Sequence, residues 1–311
     1  MAKVFIDGKA GTTGLRIYER LEQFGGIELI SLDDDKRKDT ACRKEALNSA
    51  DVAFLCLPDD ASRESVSLIE NENTVVIDTS TAHRTLDDWA YGFPELSDFH
   101  REKIKNSKRI AVPGCHASGF ISLVYPLIEA GALDGSENLC CFSLTGYSGG
   151  GKKMIAEYRE EPDVLLSAPR QYALTQNHKH LKEMMKISGL NNAPAFCPTV
   201  GDFYSGMEVT VPIFKSDLKN GFDFEKIKEI YKNKYTGPIV TYCDNFSENG
   251  FISAGILSGK DSMVISVFGN EDRILLTSRY DNLGKGASGA AVECLNIVLG
   301  NEDTNGLITE F

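Results

Sequence analysis

The sequence predicts an α/β chain in which a parallel-sheet domain is followed by an α+β domain with a mostly antiparallel or mixed sheet. Three observations predict it. Short apolar strands alternate with helical segments through the first third of the chain, which is the pattern of βαβ units. A glycine-rich turn, Gly8-Lys9-Ala10-Gly11-Thr12-Thr13-Gly14, joins the first strand to the first helix. Beyond residue 115 the strands lengthen, and the last two are separated by the hairpin turn Asn270-Glu271-Asp272. At 311 residues the chain has room for two domains of the usual ~100–200 residues each.

Taken in order, Lys3 to Asp7 reads as a short buried strand, and Leu15, Tyr18, Leu21 and Phe24 repeat at helical spacing until Gly25-Gly26 stops them. Ile27 to Leu32 is the second strand, Arg37 to Ser49 a polar helix, and Val52 to Leu57 a third strand stopped by Pro58. Ala61 to Glu70 is helical, and Val75-Val76-Ile77 is a fourth strand ending at Asp78. In the second part Leu139 to Thr145, Met207 to Phe214, Met263 to Gly269 and Arg273 to Ser278 are strands. Gly286 to Leu299, with Ala287, Ala290, Ala291, Cys294, Leu295 and Val298 on one face, is an amphipathic helix expected to return to the first domain.

Composition limits the function. Hydrophobic residues make up 42% and charged residues 25% of the chain, the balance of a soluble globular protein. The longest apolar run is well short of the ~18–20 residues of a membrane span. Met1-Ala2-Lys3 runs straight into Val4-Phe5-Ile6, which reads as no signal peptide and a cytoplasmic protein. A net charge of −12 argues against a nucleic-acid partner, which favours a basic patch. Eight cysteines, at 42, 56, 115, 140, 141, 197, 243 and 294, form no C-x-x-C pair, so reduced thiols are expected. Cys56, inside Ala53-Phe54-Leu55-Cys56-Leu57, reads as a small core residue.

Strand, then Gly8-x-x-Gly11-x-x-Gly14, then helix is the context of a Rossmann-type dinucleotide domain. Glycines let the backbone approach a pyrophosphate, the helix N–H groups attract it, and Thr12 and Thr13 add hydroxyl donors. The spacing differs from G-x-G-x-x-G, a weaker pattern alone; a turn without a ligand is the bland alternative, and the flanking strand and helix with Thr12 and Thr13 argue against it. At the end of the second strand, Ser31 and Arg37 suit the 2′-phosphate of NADP, which is the preferred cofactor. Asp33 as a ribose acid and Lys36 to Lys38 as a solvated helix start are the alternatives.

Val112-Pro113-Gly114-Cys115-His116-Ala117-Ser118-Gly119 precedes the apolar Phe120-Ile121-Ser122-Leu123-Val124-Tyr125-Pro126. The run predicts a helix with Cys115 at or just before its N-terminus. There the dipole and the first N–H groups favour a thiolate and lower the thiol pKa. The same groups would receive the oxyanion formed when the thiolate attacks a carbonyl. A buried structural cysteine is the bland alternative, and Pro-Gly before it and small residues after it argue against that. A thiol nucleophile needs a base, and of the five histidines two stand together in His178-Lys179-His180-Leu181-Lys182-Glu183. Such a stretch supplies a base and a carboxylate to orient an imidazole; an exposed loop or a metal pair reads from it equally, but no third ligand is evident and no metal is expected. Tyr147-Ser148-Gly149-Gly150-Gly151-Lys152-Lys153 either cradles a substrate anion or is a flexible loop.

Together the Gly8 to Gly14 loop, Asp78-Thr79-Ser80-Thr81-Ala82-His83-Arg84, Pro113 to Gly119, Tyr172 with His178-Lys179-His180, and Asp281-Asn282-Leu283-Gly284-Lys285-Gly286-Ala287 carry a resemblance over essentially the whole chain. In order and spacing the sequence resembles the short form of the N-acetyl-gamma-glutamyl-phosphate reductases of arginine biosynthesis, in the semialdehyde dehydrogenase superfamily. The resemblance implies Cys115 as nucleophile and His178 as acid/base, with Tyr172, His180 and Glu183 in support. It implies NADPH-dependent reduction of an acyl phosphate to an aldehyde through a thioester, with N-acetylglutamyl phosphate as the small-molecule substrate. Asn282 and Gly286 are the expected nicotinamide contacts, and Arg84, Ser148 and Lys152 the candidates for substrate anions. The implied domains are 1–115 with 285–311, holding the dinucleotide, and 116–284, holding the substrate; a dimer or tetramer is expected. Lys182, where the family often has proline, and Ser118, where threonine is common, depart from its pattern and bear on loop geometry. Aspartate-semialdehyde dehydrogenase is the nearest rival, and a non-catalytic NADPH-binding sensor is the rival of a different class.

Overall fold

Strands that are apolar on every residue have to be covered on both faces, and the first unit is built that way. A computed structural model describes residues 1–160 and 163–310, folded as two compact units: 1–114 with 287–307, and 115–286 with 308–310. The sequence boundaries at 115 and 285 differ from these by a residue or two, so that Cys115 opens the second unit. Residues 308–310, expected with the first unit, belong to the second.

In the first unit the elements are β1 (Ala2–Asp7), α1 (Thr12–Leu21), β2 (Ile27–Ile30), α2 (Thr40–Ser49), β3 (Val52–Leu55), α3 (Asp59–Ser67), β4 (Val75–Asp78), β5 (Ala90–Tyr91), α4 (Asp98–Asn106) and β6 (Arg109–Ala111), with the chain's last helix, α9 (Gly289–Leu299). The strands pair in parallel in the order β2-β1-β3-β4-β6-β5. Successive residues of β1 serve opposite cores. Val4 and Ile6 pack with Ile17 and Leu21 of α1, Ile104 of α4, and Ala291 and Leu295 of α9. Phe5 packs with Ala46 and Leu47 of α2 and Leu55 of β3. Each such apolar side chain contributes roughly 1.5–3 kcal/mol by leaving water. Helix α9 thus returns to the first unit as expected, although Gly284–Ser288 forms a wide turn before the α-helix begins at Gly289.

Element ends differ from the sequence reading where a cap intervenes. Helix α2 starts at Thr40, not Arg37, because the Asp39 side chain accepts the Cys42 N–H at 2.8 Å. Strand β3 ends at Leu55 rather than Leu57, and α3 begins two residues early with Asp59 and Asp60 in its first turn.

The second unit contains α5 (Cys115–Glu129), β7 (Cys140–Gly146), α6 (Gly151–Arg159), β8 (Arg170–Gln171), α7 (His180–Ser188), β9 (Ala195–Gly201), β10 (Met207–Phe214), α8 (Phe224–Lys234), β11 (Val240–Tyr242), β12 (Met263–Gly269) and β13 (Arg273–Tyr280). Its sheet runs β11-β12-β13-β10-β7-β9-β8 and is mixed: β7–β9 and β11–β12 are parallel, the other pairs antiparallel. The hairpin between β12 and β13 is closed by Asn270, whose Oδ1 accepts from the N–H groups of Asp272 and Arg273 at 3.0 Å each.

One face of this sheet carries α5. Pro126 lies inside that helix and has no N–H for the Ser122 carbonyl. Tyr235 supplies the missing donor to Ser122 O at 2.8 Å, and Tyr231 of α8 donates to Leu123 O. The opposite face presents Phe142, 49% exposed, and Leu275, 42% exposed, beside the half-buried Leu144, Pro212 and Phe268. Among the described residues no helix is long and apolar enough to cross a membrane.

Candidate active site

Local sequence sets the place of Cys115. Cys115 is the half-buried first residue of α5. The Tyr280 phenol touches both ends of the helix's first turn, donating to Cys115 O at 2.6 Å and accepting from Gly119 N at 3.1 Å. Burial, and then Cys115, push that phenol well up, so it keeps its proton. Gly119 admits the phenol: a Cβ there would meet Tyr280 Oη and Val209 Cγ2 at 2.6 Å. Gly286 lies against the nucleophile itself, since a Cβ on it would stand 3.1 Å from Cys115 Cβ. Its expected role as a nicotinamide contact therefore acquires a second demand, room for the cysteine.

The residue after the nucleophile gathers the site. His116 is buried, with Nδ1 2.6 Å from Ser143 Oγ on β7 and Nε2 2.6 Å from Tyr172 Oη. Burial, then the His178 charge, lower its pKa to about 3, so the ring is neutral at any working pH. His178 and His180 stand edge to face with ring centroids 4.6 Å apart, and both approach His116, at 5.9 and 5.7 Å. Burial, then Lys179, lower the His178 pKa. Its Nδ1 accepts the His180 N–H at 3.2 Å, so the neutral ring carries its proton on Nε2. His180 is the first residue of α7, and Glu183 is buried one turn later. Burial, then Cys115, push the Tyr172 phenol up.

A strained loop holds this cluster. Ala173 and Gln176 have φ of 53° and 56°, a left-handed conformation that non-glycine residues adopt at a cost. Gln176 offsets it by pairing its amide with the backbone of Phe196: Nε2 donates to Phe196 O at 2.7 Å and Oε1 accepts from Phe196 N at 2.8 Å. The Phe196 ring then packs on His116 and His178, at 5.3 and 5.1 Å between centroids.

Other expected residues are engaged in holding loops. Arg84 is buried, with Nε donating to Val112 O and an Nη to Thr79 O, both at 2.8 Å. Asn282 donates to Ser148 Oγ at 3.0 Å and accepts from Gly206 N at 2.9 Å, which joins one expected cofactor residue to one expected substrate residue. Lys152 stands exposed at the start of α6.

In the first unit the order of the parallel strands reverses between β1 and β3, where open α/β sheets bind ligands beyond the strand ends. The Gly8 turn lies there, at φ +90° and with no room for a Cβ against Cys56 O. Gly14, on the first turn of α1, would bring a Cβ within 2.5 Å of Gly8 O, while Gly11, the N-cap, and Thr12 and Thr13 complete the loop. A cavity of about 550 Å³ opens beside it, lined among others by Gly8, Lys9, Tyr18, Ser31, Arg37 and Lys38. Arg37 is exposed and paired with Asp34 at 3.0 Å. The glycine cradle and the cations Lys9, Arg37 and Lys38 beside the cavity fit a phosphate-bearing dinucleotide.

Comparison with known proteins finds relatives for both units. Residues 3–107 match the family described as semialdehyde dehydrogenase, NAD binding domain, and residues 115–282 the semialdehyde dehydrogenase dimerisation domain. An N-acetyl-gamma-glutamyl-phosphate reductase of Nostoc sp. is 44% identical, over 98% of this chain and 99% of its own. The chain belongs to the N-acetyl-gamma-glutamyl-phosphate reductase family. A member from Brucella ovis is also 44% identical, over 96% of this chain and 99% of its own. The fold is shared more widely than the family. Aspartate semialdehyde dehydrogenase II of Vibrio cholerae, in a structure complexed with ASA, superposes with a TM-score of 0.72 at 17% identity, covering 96% of this chain and 98% of that one. That of Francisella tularensis gives 0.71 at 17%, with 96% and 100% covered. As in the rest of the family, the cofactor is a nicotinamide dinucleotide.

Sequence reasoning gave no role to His116, Ser143, Phe196, Gln176 or Tyr280. Only His116 carried a signal, its place directly after the nucleophile; the others lie far along the chain from Cys115.

Proposed function

We propose that the chain reduces N-acetyl-gamma-glutamyl phosphate to N-acetylglutamate 5-semialdehyde and phosphate, with NADPH, in arginine biosynthesis. The observation that carries the reading is Cys115 at the start of α5, beside a cluster of His116, Tyr172, His178 and His180, in a chain 44% identical to named reductases over nearly its whole length. The Cys115 thiolate, favoured by the helix N-terminus, attacks the acyl carbon. The bond from that carbon to the phosphate oxygen breaks, phosphate leaves, and a thioester remains on Cys115. NADPH, when bound, supplies hydride to the thioester carbon. The carbon–sulfur bond then breaks, the aldehyde departs and the thiolate is restored. His178 serves the oxyanions and the leaving phosphate through Nε2, supported by Tyr172, His180 and Glu183.

The first unit holds the cofactor and the second carries the acyl chemistry. Ser31 and Arg37 at the cavity rim select the 2′-phosphate of NADP, Arg37 exchanging Asp34 for it. Lys152 is the substrate-anion candidate with an exposed charge, while Arg84 and Ser148 act by holding the loops they are bonded to. A second copy of the chain covers the exposed Phe142 and Leu275 face, consistent with the dimerisation-domain match; Phe142→Asp then shifts the sedimentation of the protein to the monomer. The enzyme works in the cytoplasm, where its free thiols stay reduced.

The deciding test is the reverse reaction, with phosphate, NADP and N-acetylglutamate semialdehyde or aspartate semialdehyde in parallel. Turnover of the acetylated aldehyde alone is expected. Activity confined to aspartate semialdehyde would overturn the substrate, and a preference for NAD would overturn the roles of Ser31 and Arg37.

A further inference from the structure

Ser143, His116 and Tyr172 form a hydrogen-bonded row inside the second unit, at 2.6 Å for each step. Such a row has two polarities. In the first, Ser143 donates to Nδ1, the ring carries its proton on Nε2, and Tyr172 Oη accepts it. The phenol O–H is then left for an acceptor outside the row. In the second, Tyr172 donates to Nε2, Nδ1–H donates to Ser143 Oγ, and the serine hydrogen needs an acceptor of its own. Ser143 is 1% exposed on the helix-facing side of β7, and among the described residues His116 is its one hydrogen-bond partner. The second polarity therefore buries an unmade O–H bond, which disfavours it by about tenfold or more. The first leaves the unmade bond on Tyr172, which is half-buried and open to a ligand oxygen. His116 cannot evade the choice by ionising, since burial keeps it neutral. Tyr172 also lies within electrostatic reach of Cys115, whose charge acts on the phenol.

We propose that Ser143 fixes His116 as its Nε2–H tautomer, and that His116 thereby presents the Tyr172 hydroxyl as a hydrogen-bond donor to the substrate oxygen that becomes negative when Cys115 attacks. Tyr172 is the catalytic residue in this arrangement; Ser143 and His116 are positioning residues acting through it. A neutral ring that is fully hydrogen-bonded on both nitrogens holds the phenol oxygen still and polarises its O–H bond without taking the proton. The inference rests on the acyl-transfer reading for the identity of the oxygen, but the tautomer is a property of the protein alone.

The test uses the full chain labelled with 15N-histidine. Long-range proton–nitrogen correlation spectra of the wild type are expected to show His116 protonated on Nε2 and bare on Nδ1, unchanged from pH ~5 to ~8. A wild-type His116 carrying its proton on Nδ1 overturns the proposal. Ser143→Ala is expected to mix the tautomers and to lower kcat about tenfold with KM nearly unmoved, while Ser143→Thr, which keeps the hydroxyl, restores both. In a Tyr172→Phe background Ser143→Ala should change kcat by less than about twofold, because its effect passes through the missing phenol. Equal losses in the two backgrounds refute the relay. If Ser143→Ala fails to fold, the wild-type spectrum still decides. A protein that shows the Nε2 tautomer yet does not turn over N-acetylglutamyl phosphate would sink the functional reading and leave the tautomer assignment standing.

Discussion

Replacing Tyr280 by phenylalanine removes one oxygen and leaves the ring in place, and that oxygen holds the first turn of α5. Two bonds go: the 2.6 Å donation to Cys115 O and the 3.1 Å acceptance from Gly119 N, both made by a phenol that is itself buried. Each is worth ~0.5–1.5 kcal/mol net, and burial leaves no water to take their place, so a loss of about 2 kcal/mol is expected. For a unit of this size ~2–4 °C of melting temperature follows each kcal/mol, giving a fall of roughly 4–8 °C in calorimetry. The chemical effect should be the larger one. A nucleophile displaced by ~1 Å loses about 10²-fold in rate, and loosening its carbonyl by a fraction of that predicts a ~10–100-fold fall in kcat/KM. Alkylation of Cys115 by iodoacetamide should slow in parallel. A variant that melts earlier but keeps its alkylation rate and its kcat/KM within about twofold would show that the phenol only stabilises the fold, and the positioning argument would fail.

Four further outcomes follow from the same geometry. Cys115→Ser should abolish hydride transfer while NADPH binding, read by nucleotide fluorescence, is retained; loss of binding would contradict the assignment of the two tasks to separate units. In mass-spectrometric mapping near neutral pH, Cys115 should be alkylated far ahead of Cys56, whose thiol burial pushes up to about 12, and of Cys141, whose thiol burial also pushes well up. Stability should fall as pH drops below 6.5: the unfolded chain then protonates His116, while the folded ring stays neutral down to about 3, so the slope is up to ~1.4 kcal/mol per pH unit within that window and vanishes above it. His178, lowered in the same sense, adds to it. Urea titrations comparing the wild type with His116→Gln check this, and equal slopes for the two proteins would refute it. Gly286→Ala sets a methyl carbon 3.1 Å from both Cys115 Cβ and Asp281 O, and should lower kcat at least tenfold; unaltered turnover would show that the cysteine has slack.

What the sequence disclosed and withheld divides along a physical line. Runs such as Val52–Leu55 and Val75–Asp78 announce a parallel sheet because every residue in them has to be buried. Gly8 and Gly14 are legible for a similar reason: their surroundings allow no Cβ, and only glycine meets that demand. Cys115 at a helix start is legible from Pro-Gly before it. By contrast β5, β8 and β11, of two or three residues each, were invisible, since they are made by pairing partners and not by their own composition. Strand β9 is seven residues long but contains Pro198, which reads as a breaker. Nothing local marks Ser143 as the partner of His116 or Tyr280 as the partner of Cys115, because the alternating pattern of a strand says which face a residue takes and not what waits there. Asn282 and Arg84 are a further case: the hydrogen bonds by which they hold loops have partners that no local pattern announces.

Tyr280 lies 165 residues beyond the cysteine it steadies, and Gly286 further still. During synthesis the α5 segment therefore leaves the ribosome with its thiol exposed long before the strand that fixes it has been translated. That strand, β13, lies between β12 and β10 in the sheet, so it enters only after much of the second unit has been made. A chain released early has the nucleophile in sequence but lacks the phenol that holds its carbonyl and the glycine that fits against its side chain. The thiol's setting is thus completed only when β13 and the turn after it have been made, and chains that stop short of them carry an unassembled centre.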